Sequence, residues 1–245
     1  MMVEALGNSD LLEFLGVAGC LAHYVGDACQ PLHISRLHHG HPEGATSVSK
    51  KVHAVYETQM LNEHAAEIVE GVVDQLDGKK ATASFTGGKG AAERVIRLMR
   101  ETVTKLPPEN IVDAYDEETK PKDRLDRLWN DFGDKTIELM AEGCLCMGDI
   151  WASAWKEGGG EAIPTSKLVA IDQDQLAKCY RQPDFFPSMS LRLMIPLLTG
   201  TAAPPAPAAT KKKAATKKKV TVKKTAARKK KAVKAPAPKV KAATA

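Results

Sequence analysis

From Leu11 to Cys29 the chain runs apolar, with Glu13 and Asp27 as its only acids, His23 as its only histidine and no lysine or arginine. Asp10, with Glu13 three residues on, reads as a capping pair, and Pro31 ends the run. A stretch of this length and character predicts one central helix in an α-helical body. His23 and Asp27, four apart, then share one face of that helix, about one turn from each other.

The same spacing returns at His53 and Glu57, and His33 lies between the two pairs. A single His-x3-carboxylate pair is usually just a polar pair. Two of them with a histidine between make a metal-binding framework, because three protein ligands with an open position are the catalytic zinc arrangement. On this reading His33, His53 and Glu57 hold one ion, while His23 and Asp27 serve a neighbouring one. The loop histidines His38, His39 and His41 read as solvated, and His64 as a surface residue too far along the helix for the same ion.

Helical periodicity continues through the body. A second helix is expected from Ser47 or Ser49 to about Leu76, and a third over AAERVIRLMRETVTKL, ended by Pro107 and Pro108. The acidic NIVDAYDEETKPKD reads as a solvated connection. The segment from Arg124 to Glu157 reads as one or two helices broken by Gly158–Gly160, and SKLVAIDQDQLAKCY as a short helix. Residues 1–8 carry no clear signal, and the apolar stretch 184–200 has no assigned role. No strand pattern competes, so the fold class is all-α. Five cysteines are an odd number with no disulfide spacing, and they read as small core residues.

Charge divides the chain at about residue 200. Of its 35 Lys and Arg, 15 fall in 201–245, where no acid occurs; the other 20 stand against all 30 acids. The expected organisation is therefore a helical domain over 1–200 and a basic tail over 201–245. The tail's Ala, Lys, Pro and Thr cannot bury enough apolar surface to fold, so it is expected to be disordered. Its lysine clusters resemble linker-histone-like tails and suit nucleic acid as a partner. The expected contacts are Lys211, Lys212, Lys213, Lys217, Lys218, Lys219, Lys223, Lys224, Arg228, Lys229, Lys230 and Lys231.

The run HYVGDACQPLH resembles the signature of the S1/P1 nuclease and zinc-dependent phospholipase C superfamily, and VHAVYE resembles its downstream pair. The resemblance covers roughly residues 10–65. It implies a multi-helix bundle and a cluster of two or three zinc ions. It further implies His23 and Asp27 on one ion, with Asp27 bridging, and His33, His53 and Glu57 on the second. The implied activity is zinc-dependent hydrolysis of phosphoric ester bonds in nucleic acid, an endonuclease whose nucleophile is a zinc-bound water. The alternatives are a catalytically decayed nucleic-acid binder and a phospholipase C-type hydrolase. The family's upstream Trp, His and Asp ligands have no counterpart among the 22 residues before His23. Neither a signal peptide nor an apolar run near the ~20 residues of a membrane span is read in the chain, so it is expected to be cytoplasmic, although the family is usually exported.

Overall fold

Asp10 does cap the first long helix: its Oδ1 accepts from the Glu13 amide at 2.9 Å. In the computed structural model, which describes residues 1–43, 46–168 and 172–181, this helix is α2, Leu11–Ala28. It is preceded by α1, Met2–Gly7, where the sequence showed no clear signal. Met2, Ala5 and Leu6 are buried against Phe14, Val17 and Ala18 of α2. Six residues are too few to display a period, and α1 exists because those three side chains find α2.

Residues 52–63 form α3. Its α-helical ends, Val52–Ala54 and Leu61–Glu63, flank a π-helical middle, Val55–Met60. At His64 the backbone leaves helical geometry, and α4, Ala65–Leu76, follows. The expected single helix is thus two helices with a π turn in the first. Then come α5, Gly87–Lys105, and α6, Pro108–Glu117. The α6 segment was expected to be a solvated connection. Its Ile111, Val112, Ala114 and Tyr115 are buried, and Pro108 stands at a first-turn position, where a missing N–H costs nothing.

Helix α7, Pro121–Glu157, is one continuous element. Gly159, with φ +73, follows its end in the left-handed region. The short α8, Gln173–Tyr180, closes the described fold. No strand occurs among the described residues, and the fold class is all-α. Residues 184–200 and the basic tail, with all twelve of its proposed nucleic-acid contacts, lie outside the described residues.

Three apolar clusters hold the helices together, and α7 contributes to each. Leu125, Leu128, Phe132 and Leu139 pack with Val52, Tyr56 and Met60 of α3 and with α6. Cys146 and Ile150 meet Val25 and Ala28 of α2 and Leu98 of α5. Ala154 joins the α1–α2 cluster. Close approach is built into the second contact. A Cβ on Gly143 would stand 2.8 Å from Cys29 Sγ and 3.3 Å from its Cβ, so the glycine lets Cys29, just past the end of α2, lie close against α7. By length and composition α2 is long and apolar enough to cross a membrane, correcting the expectation that no run approached that size; a third of it is buried in the fold.

Candidate metal centre

Three segments meet at one place: the end of α2, the loop that follows it, and α3. The loop is fixed by Leu32 and Leu37, both buried in the large apolar cluster. Each is followed directly by a histidine, so burying Leu32 delivers His33 and burying Leu37 delivers His38. On α3, the buried Tyr56 hydroxyl bonds Thr136 of α7 at 2.7 Å, which fixes the rotation of the helix carrying His53 and Glu57.

His33 Nε2 lies 2.7 Å from His53 Nε2 and 2.9 Å from Glu57 Oε2. His53 Nε2 lies 2.5 Å from the same Glu57 oxygen. On the other side of its ring, His33 Nδ1 contacts Asp27 Oδ1 at 2.7 Å. An ionised carboxylate can only accept: with the ring proton on Nδ1, His33 donates to Asp27 and Nε2 is left with a lone pair to ligate, and with it on Nε2, His33 donates to Glu57. Gln30 ties the corner: its Oε1 accepts from the Leu32 amide at 2.5 Å and its Nε2 donates to Glu57 Oε2 at 3.3 Å.

His38 completes the group. Its ring centroid is 3.9 Å from that of His53, and one ligand nitrogen from each of His33, His38 and His53 lies within 4.8 Å of the others. These three histidines are therefore close enough to hold a metal ion. His38, read from the sequence as part of a solvated loop, is half-buried in the cluster. The signal that could have found it is the repeated Leu-His pair, at Leu32-His33 and Leu37-His38.

The ionisation states match ligand chemistry. Burial lowers the His53 pKa, the nearby His33 lowers it further, and Glu57 only partly offsets them. His38 is lowered by burial first and then by His53 and His39. Burial pushes Glu57 up, but its bond from His33 and the charge of the neighbouring rings hold it below the usual carboxylate range. Neutral imidazoles and an ionised carboxylate are the metal-binding forms of these groups.

The remaining expected residues are placed differently. His23 is 74 % exposed, stands 3.5 Å from Asp27, and approaches no member of the cluster closely enough to join it. Asp27 turns Oδ1 to the His33 ring, while its Oδ2 faces His23. His41 reaches away to Asp113 on α6, at 2.7 Å. His64 is no simple surface residue: it stacks on Trp129 at 3.9 Å and bonds Glu67.

No family model matches the chain, and no solved structure matches it. A curated relative, a probable serine protease of Bradyrhizobium tropiciagri, is 34 % identical over 207 residues, covering 78 % of this chain and 26 % of that protein. The chain thus spans about a quarter of that relative's length. The expected zinc-dependent phosphodiesterase, with its alternatives of nucleic-acid binder and phospholipase, is corrected by this match. The relative is named for proteolysis, not for cleavage of phosphoric esters.

Proposed function

We propose that the chain is a zinc-binding helical module of a protein that works in proteolysis. The convergence of His33 Nε2, His53 Nε2 and Glu57 Oε2 on one another, with His38 adjoining, carries this reading. Three nitrogen and oxygen atoms held within 2.5–2.9 Å of one another are a set that a cation between them would satisfy. Zinc–ligand bonds of about 2.0–2.1 Å set tetrahedral ligands roughly 3.3 Å apart, so the donors spread only slightly to admit the ion. Imidazole with a single carboxylate favours zinc over calcium or magnesium, which take oxygen ligands.

Each residue then has a task. His33, His53 and Glu57 are the core ligands, and His38 is the fourth. Asp27 orients His33 from behind and raises its basicity, the arrangement typical of a metal-bound imidazole. Gln30 holds Glu57 and the loop in register. When bound, the ion would tie these segments together as a closed four-ligand set, and it would supply a Lewis acid to a coordinated water only with one of the four positions open.

The link to proteolysis rests on the curated relative's name. Among the described residues no serine hydroxyl bonds a histidine; Ser35 turns to the Leu32 carbonyl, and Ser49 to Thr46. The chemistry this module brings to a protease is accordingly its metal.

The test is zinc content after equilibrium dialysis of the purified chain. One zinc per chain is expected, lost in His33→Ala and kept in His23→Ala. A chain that retains no zinc, or a His33→Ala variant that binds as the parent does, overturns the assignment.

A further inference from the structure

His38 sits on a loop, and a loop ligand needs something to hold it in place. Leu37 is buried just before it. Gly40, with φ +81, follows so close to the chain at Ser49 that an added Cβ would stand 3.2 Å from both the Ser49 Cβ and its carbonyl oxygen. Next comes His41, whose Nε2 meets Asp113 Oδ1 at 2.7 Å. Asp113 lies on α6, a helix anchored by Ile111, Val112 and Tyr115 in the same apolar cluster as Leu37. The loop is therefore attached to a rigid helix on the far side of His38 as well as the near side.

We propose that His41 and Asp113 form a positioning pair that seats His38 as the fourth ligand of the metal centre. The inference rests on the zinc-binding reading above. Neither residue touches the ion; they act through the path of residues 37–41. With the pair broken, His38 spends part of its time away from the ion and water takes its place. The pair is exposed on both sides, so the expected effect is modest, about threefold in zinc affinity.

The experiment uses the full chain and three measurements: zinc affinity by chelator competition, the visible spectrum of the cobalt(II)-loaded protein, and thermal stability. His41→Ala and Asp113→Ala should each weaken zinc binding to a similar extent. Both should move the cobalt spectrum part of the way towards that of His38→Ala. His41→Gln, which keeps a hydrogen-bond donor, should restore most of both. In a His38→Ala background His41→Ala should change neither affinity nor spectrum. A merely structural role would lower stability in either background and would not follow His38.

Normal affinity and spectrum in His41→Ala, alongside an altered His38→Ala, would overturn the positioning role and leave the zinc site standing. Undiminished effects of His41→Ala in the His38→Ala background would overturn it too. Failure of the parent chain to bind zinc or cobalt would remove the zinc reading itself, and the pair's role with it.

Discussion

Residues His33, His53 and Glu57 were legible in the sequence because helical spacing and a neighbouring Pro-Leu-His run announce them. His38 was not, since a loop's path depends on which leucine the core accepts, and no period encodes that. Asp27 was legible as a partner but not in its role. Spacing pairs it with His23, whereas the turn at Gln30 brings His33 nearer. Removing the carboxylate in Asp27→Ala frees the His33 ring to rotate and lowers its basicity. Loss of such an outer contact typically costs about 10–100-fold in metal affinity, which a competition titration would read. Tyr56→Phe removes the buried bond to Thr136. Thr136 still donates to the Phe132 carbonyl, so the cost should be near 1 kcal/mol in urea unfolding. Cysteine chemistry is quiet by comparison. Burial, with Cys144 and Cys146 nearby, pushes the Cys29 thiol up to about 11. At pH 8 it should therefore alkylate far more slowly than a free cysteine, as mass spectrometry of a timed iodoacetamide reaction can show.

At the scale of elements, helices with strong apolar periods and clear stops were readable: α2 from Asp10 to Pro31, and α5 up to the Pro107-Pro108 pair. Helix α6 hid because acidic residues dilute its five buried side chains, and only packing reveals which face counts. Continuity of α7 was left open between one helix and two, since Gly133, Gly143 and Gly148 interrupt its apolar pattern. Gly143 is instead a contact surface for Cys29. Gly143→Ala should force the end of α2 off α7 and destabilise by about 1–3 kcal/mol, with part of the loss recovered when Cys29 is also made alanine. That recovery is the decisive measurement; an equal loss in both backgrounds would place the strain elsewhere. Leu128, fully buried at the α3–α6–α7 junction, should cost about 2–5 kcal/mol as alanine.

Across the whole molecule, the candidate centre is built from segments that meet only after α3, α6 and α7 have packed. A metal bound there favours the folded chain over the unfolded one. Zinc at a hundred times its dissociation constant should add about 2.7 kcal/mol, seen as a rise in melting temperature that chelator reverses. His33→Ala should abolish that rise. Helix α7 gives this coupling its reach. Its 37 residues span about 55 Å, and its side chains enter all three apolar clusters. Amide protons in its middle turns can therefore meet solvent only when every cluster opens at once. In deuterium exchange they should be the slowest in the chain and should share one rate. That rate should slow further on zinc binding, although the ligands sit on other elements: the slowest clock in the protein is set by a site that reaches α7 through the packing of α3 against it.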